Sequence, residues 1–308
     1  MYTKLNLYQT LSRRFSKMLL FEEIVPNIKL LKTPFAGVWS GVILIKGKEN
    51  ILIDSGATTE VVDEIVVPAL KEEGLTPNDI SLLLNSHSHG DHVGGHYRFK
   101  EISTAKIACL ASSLDKMRDP LKYNKLIRAP FPEYSPPPSA TLKGIEPDIL
   151  INEGELVAGR LRLICTPGHD DDCVCWFDEQ TKTLITGDSL QANGTSIQGV
   201  GFYQDVQVYR NSIKKLLALD AQNLVSGHDY IPCGSVAIGE KETKWYLETC
   251  LNLTYTYDIL LKEFQARGIT NLPDLATELI KHVGGRIPAF LFLPLFTVSA
   301  HLSANTDK

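Results

Sequence analysis

Three histidines and an aspartate fall within six positions in Ser86-His-Ser-His-Gly-Asp-His-Val-Gly-Gly95. His87 and His89 stand two apart, so an extended turn projects both to one side, where they can share a cation. Asp91 and His92 are adjacent; their side chains diverge and suit a second cation beside the first. Imidazole with carboxylate is a donor set for zinc, and iron and manganese also accept it. Three later segments, Cys165-Thr-Pro-Gly-His169, Thr186-Gly-Asp188 and Ser226-Gly-His228, each follow an apolar run and place a glycine just before a donor. A single histidine at a strand end is ordinarily a hydrogen-bonded core or surface residue. Three such ends beside the His87–His92 cluster point instead to one shared metal centre. A competing nucleophile is missing: there is no Gly-x-Ser-x-Gly, and no cysteine has a partner placed by sequence.

The elements that must carry these donors read as short strands alternating with helices. Ile28–Lys32, Val38–Ile45 and Asn50–Asp54 predict an antiparallel meander, and Ile80–Asn85 predicts a buried strand running into the histidine cluster. Between them Thr59 is expected to cap a helix through about Glu73, kinked by Pro68 and stopped by Gly74. Strands are expected again at Glu155–Cys165, Cys173–Phe177, Thr183–Thr186 and Asn223–Ser226, and Asp205 is expected to cap a helix bearing Val206, Tyr209, Ile213 and Leu216. Residues 110–147 hold seven prolines and predict an irregular insert. Helical spacing returns with Tyr246, Cys250, Leu253, Tyr257, Leu260 and Phe264, followed by a helix at Asp274–Val283 and an apolar stretch, Ile287–Leu302. The expected organisation is therefore an N-terminal extension (1–20), an α/β catalytic domain (21–238) and a helical C-terminal extension (239–308). Phe290, Leu291, Phe292, Leu293, Leu295 and Phe296 are expected to wall a substrate cleft, with packing on the core as the competing expectation.

Composition narrows the function classes. The chain has 308 residues, 44% hydrophobic and 22% charged, which is globular, and its net charge of −5 comes with no long basic run, which argues against a nucleic-acid partner. Six cysteines without a C-x-x-C pair suggest a reducing, cytoplasmic setting, with Cys173 and Cys175 filling the core. No window reaches a membrane span. Residues 1–17 carry Lys4, Arg13, Arg14 and Lys17 and no acid, as a transit peptide does, but are read as a weakly structured extension.

Ser86–Gly95 resembles the H-x-H-x-D-H signature of the metallo-β-lactamase superfamily, and His169, Asp188 and His228 are similar in order and type to its later ligands. Ile51-Leu-Ile-Asp-Ser-Gly56 resembles the strand-end motif that precedes them. The resemblance spans roughly residues 25–230 and implies an αββα sandwich with two divalent metal ions, zinc first, at one edge of the paired sheets. It implies that His87, His89 and His169 hold one metal, that Asp91, His92 and His228 hold the other, and that Asp188 bridges them. Asp54 would steady the site from behind, and Asp91 would also orient the nucleophile or carry its proton. The implied activity is hydrolysis by metal-activated water of a small-molecule acyl substrate. A thioester is expected first and a lactone second, with a low-turnover metal-binding regulator as the reading from another class. A homodimer is compatible with all of these. Asp170, Asp171 and Asp172 depart from the common pattern. They read either as a solvated turn or as a carboxylate fixing a metal-bound histidine, the latter weakly similar to family thioesterases that also carry a helical C-terminal extension.

Overall fold

Along the first strands the apolar residues alternate sides, and both sides are buried. Ile28, Leu30, Ile43, Ile45, Ile51 and Ile53 face one core while Leu31, Val42, Leu44 and Leu52 face another. A strand buried on both faces needs a layer on each, which is how this sequence specifies a sandwich. In the computed structural model, which describes residues 20–306, β2 (Ile28–Phe35), β3 (Val38–Ile45) and β4 (Asn50–Ile53) form the expected antiparallel meander, and an unexpected strand, β1 (Glu22–Val25), pairs with β2 at its edge. Parallel strands β5 (Ile80–Leu84), β6 (Lys106–Leu110) and β7 (Ile149–Ile151) extend it to seven strands in sequence order. The second sheet runs from β8 (Leu156–Val157) through β9 (Leu161–Cys165), β10 (Val174–Asp178), β11 (Thr183–Ile185) and β12 (Asn223–Tyr230) to β13 (Gly234–Ile238).

Between the sheets lies the central core, where Trp176 is fully buried beside Val174, Ile185 and Val225. Each aliphatic side chain there contributes about 1.5–3 kcal/mol on burial. The outer face of the first sheet is covered by helix α1 (59–72), by the short helix α2 (Gly90–Val93) and by α3 (His96–Ile102). Thr58, one residue before the expected cap, starts α1 by accepting a hydrogen bond from the Val61 amide at 3.3 Å. Pro68 does not end the helix. A wider π turn at Val62–Val66 precedes it and relieves the clash between the proline ring and the preceding turn. Gly74, at φ +73°, stops the helix as expected.

Residues 110–147 overturn the expectation of irregular chain. They contain α4 (Leu114–Arg118) and α5 (Pro120–Leu126) as well as a 3₁₀ turn at Pro132–Tyr134. Proline there marks a start rather than a break: Pro120 occupies the first turn of α5, where a missing N–H costs nothing, and Asp119 caps the Lys122 amide at 2.9 Å.

Helices α6 (Val206–Leu217), α7 (Glu240–Ala266), α8 (Leu272–His282) and α9 (Phe292–Thr306) share one core with the outer face of the second sheet, including Tyr209, Tyr246, Leu279 and Val298. Asp205 caps α6 as the sequence predicts. Cys175 fills this core, and Cys173 is buried close by. Among the described residues no helix is long and apolar enough to cross a membrane. The extension expected at residues 1–20 lies, apart from Leu20, outside the described residues.

Candidate metal centre

The donors singled out in the sequence stand at strand ends or in the short helix that follows one. β5 leads to His87 and His89 and on into α2, which carries Asp91 and His92; β9 leads to His169 and β11 to Asp188, while His228 lies in β12 where its pairing with β13 is irregular. The structure brings all seven together. The donor atoms of His87, His89 and His169 lie within 4.8 Å of one another, as do those of His87, His92 and Asp188 and those of Asp91, His92 and His228. Asp188 faces both histidine groups, with Oδ1 3.3 Å from His92 Nε2 and Oδ2 3.3 Å from His228 Nε2 and 3.7 Å from His169 Nε2. Asp91 Oδ2 stands 3.3 Å from His92 Nε2 and 3.1 Å from His228 Nε2.

The imidazoles are held from behind. His87 Nδ1 is 3.0 Å from Ser86 Oγ, His92 Nδ1 is 2.8 Å from Asp54 Oδ2, His169 Nδ1 is 2.9 Å from the Phe202 carbonyl and His228 Nδ1 is 2.5 Å from the Trp39 carbonyl. His89 is turned the other way, with Nε2 3.0 Å from Asp170 Oδ2 and Nδ1 3.0 Å from His169 Nε2. What remains is inward-facing and open: His87 Nε2, His92 Nε2 and Asp188 Oδ1 are buried without a hydrogen-bond partner. Burial of unpaired donors and acceptors costs about 1–3 kcal/mol each, so convergence of several marks a place suited to binding a ligand. The chemistry of the set, five imidazoles and two carboxylates anchored on their outer atoms, fits divalent metal ions.

Electrostatics agree with that fit. Burial, then the neighbouring imidazoles, hold His87 well below its ordinary pKa and bring His169 down to about 3. His228 moves the other way: against its burial, Asp188 and Asp91 raise it to about 10. Asp91 and Asp188 resist burial because His92 and His228 hold both carboxylates well below their usual range. The carboxylates thus call for positive charge beside them.

Asp54 carries φ +64°, a left-handed conformation tolerable for aspartate and unusual elsewhere. There it accepts the Ser86 amide and hydroxyl, each at 2.7 Å, besides facing His92. Two glycines are required by close approach. A Cβ on Gly187 would meet Ser86 Cβ at 2.3 Å, and one on Gly227 would meet Asp188 Oδ1 at 2.5 Å.

The acidic run after His169 is no solvated turn. Asp170 and Asp172 are buried, and Lys116 of α4 reaches all three acids, at 2.6 Å from Asp170 and 3.3 Å from Asp172. Tyr123 of α5 donates to Asp170, and Ser88 donates to Asp172 at 2.5 Å. Against its burial, His89 and Lys116 depress the Asp170 pKa. Sequence reasoning missed Lys116 and Tyr123. Three consecutive acids signalled the need for a cation, but nothing in the spacing named which base of the insert would meet them.

A cavity of about 560 Å³ opens over the donors. Insert residues (Tyr123, Ile127, Arg128, Pro136), Phe202 and the start of α9 (Phe292, Leu293) line it. Both expectations for the C-terminal stretch therefore hold in part: Phe292 and Leu293 wall the cavity, while Leu295 is buried in the outer core. Phe296 joins the two regions, its ring 5.0 Å from that of Phe131 and 5.7 Å from that of Phe202.

Residues 34–228 match the family model described as Metallo-beta-lactamase superfamily. A probable metallo-hydrolase of Methanocaldococcus jannaschii is 33% identical over 193 residues, covering 61% of this chain and 84% of that protein. An atrochrysone carboxyl ACP thioesterase of Aspergillus fumigatus is 25% identical over 247 residues, 80% of this chain and 68% of that protein. The chain spans about half the length of other curated relatives it matches, 54% of one and 45% of another. Among solved structures, a metallo-beta-lactamase family protein of Thermus thermophilus superposes with a TM-score of 0.71 at 20% identity, covering 92% of this chain and 95% of that one, a likeness of fold.

Proposed function

The chain belongs to the metallo-β-lactamase superfamily, and from that premise we propose that it is a dinuclear metal-dependent hydrolase of ester-type acyl substrates, thioesters first and lactones second. The observation that carries the reading is the convergence of seven donors with inward valences open beneath a mainly apolar cavity. In this reading His87, His89 and His169 hold one ion, Asp91, His92 and His228 hold the other, and Asp188 serves both. Two divalent ions, most simply zinc, would supply a water acidified to hydroxide near neutral pH and a Lewis acid for the developing oxyanion. The protein's own groups do the rest. Asp91, at the cavity wall, orients the attacking water and accepts its proton. Asp54 and Asp170 keep His92 and His89 turned toward the centre. Phe202, Phe292 and Leu293 exclude bulk water from the reacting carbonyl.

The thioester preference draws support from the fungal relative, whose name states an ACP thioesterase activity. Residues 21–238 are read as the catalytic body and 239–308 as a helical extension that contributes part of the pocket wall. Six free cysteines support a reducing, cytoplasmic setting.

The test pairs elemental analysis with a screen of p-nitrophenyl esters, acyl-CoA thioesters and acyl-homoserine lactones. About two equivalents of metal and chelator-sensitive thioester turnover are expected. Full activity in metal-free protein would overturn the mechanism, and metal without turnover of any ester would favour a binding protein.

A further inference from the structure

Among the described residues, each arginine that is buried or half-buried answers to a carboxylate, with one exception. Arg98 pairs with Asp63, Arg160 with Asp178, Arg162 with Glu179 and Arg210 with Asp258. Arg128, half-buried just past the end of α5, forms no ion pair. Its Nε donates to the Pro136 carbonyl at 3.2 Å and its Nη1 to the Asn124 carbonyl at 2.6 Å. These bonds use neutral acceptors, and Nη2 has no partner among the described residues. The guanidinium carbon sits 5.6 Å from the centre of the Phe292 ring, so the planar group is held between the insert and α9. Burial lowers its pKa with no acid close enough to offset the effect.

This cation lines the same cavity as the metal donors, amid apolar neighbours Ile127, Pro137, Phe292 and Leu293. An uncompensated charge on an apolar wall costs stability and is retained where something outside the chain completes it. A guanidinium on the cavity lining, fixed through Nε and one Nη and with the other Nη unpartnered among the described residues, matches the oxygens of a carboxylate or phosphate.

We propose that Arg128 is the anion-recognition residue of this pocket, so that the preferred substrate is an acyl ester or thioester carrying a carboxylate or phosphate away from the bond that is cut. The inference rests on the hydrolase reading and adds a substrate class to it: the reacting carbonyl at the donors, an apolar stretch along the cavity and an anion at the insert end. The anion has two chemical sources, a carboxylate on the acyl side or a phosphate on the thiol that leaves.

The experiment uses the metal-loaded full-length protein and three matched thioesters. Butanoyl-N-acetylcysteamine is uncharged, glutaryl-N-acetylcysteamine carries the carboxylate on the acyl side, and butanoyl-phosphopantetheine carries phosphate on the leaving thiol. For the wild type, kcat/KM for one charged ester is expected to exceed that for the neutral ester by about tenfold or more, the scale of a charged hydrogen bond. Whichever ester that is identifies the source. Arg128→Gln should bring the ratio near one, and Arg128→Lys should retain part of it. Loosening of the insert alone would slow all three esters together and leave the ratio standing; that result, or a wild type with no preference, overturns the proposal. Should the wild type cleave none of the three, the thioester reading fails on its own account, and binding then decides the role of Arg128. Glutarate or inorganic phosphate should raise the wild-type melting temperature more than that of Arg128→Gln, and equal shifts in both would refute it.

Discussion

Two of the buried polar clusters among the described residues are finished differently. Near α9, Asp258 joins Arg210 and lies 2.6 Å from His301 Nδ1, while His301 Nε2 lies 2.8 Å from the Tyr203 hydroxyl and Arg210 Nε donates to Thr254 at 2.8 Å. These groups answer one another and tie α6, α7 and α9 together. At the strand ends the outer atoms are matched just as carefully, but the inner ones are left open. A closed cluster of this kind is a fastener. An open one, held in shape by outside anchors, is prepared for a ligand.

The sharpest way to break the comparison is to delete one acid from each cluster. Asp188→Ala is expected to abolish turnover and release metal, read by elemental analysis beside kinetics, because it takes an oxygen from both donor groups. Asp258→Ala is expected to leave metal content at the wild-type level and to cost about 3 kcal/mol in denaturant unfolding, since Arg210 is left with a buried, unpaired charge. Metal loss in the second variant, or retained turnover in the first, would erase the distinction.

A smaller effect is expected at the anchors. Asp54→Asn and Asp170→Asn keep the shape but weaken the hold on His92 and His89, so metal affinity measured by chelator competition should fall about 10–100-fold. An unchanged affinity would mean that the anchors merely fill space.

The pH response should be the mildest. Burial holds His301 below its ordinary 6.5, although Asp258 opposes this, with Arg210 and the Tyr203 and Tyr257 rings also facing it. The unfolded chain therefore takes up that proton first. The stability contributed by His301 is present above about 6.5 and is lost as pH falls through its lower folded-state value. Asp258 is held below 3.8 by His301 and Arg210 despite burial, so its contribution persists above 3.8 and fades as pH drops further. Melting temperature should thus decline in two stages on acidification, and His301→Gln should flatten the upper one; a wild-type melting temperature constant from pH 7 to 4 would contradict this.

Much of the donor arrangement could be read from the chain because it is local. Each donor follows a glycine or sits in one short cluster after an apolar run, and strand alternation carries the sandwich. β1, β6, β7 and β13 were not legible: they run three to five residues, and β7 exposes two of its three. The insert misled because proline reads as a breaker until a cap such as Asp119 precedes it. Lys116 and Arg128 were beyond reach for a different reason. Their roles come from contacts 54 residues away at Asp170 and across the cavity at Phe292, which no periodicity encodes.

Random substitution would meet very different walls around this cavity. Any side chain at Gly187 strikes Ser86, and any at Gly227 strikes Asp188. Variant libraries built at the strand ends should therefore return mostly dead clones. The insert and the first turn of α9 face the same space with replaceable side chains such as Ile127, Arg128 and Leu293. New substrate preferences, whether reached by lineage drift or by laboratory selection, should accumulate on that side while the strand ends stay as they are.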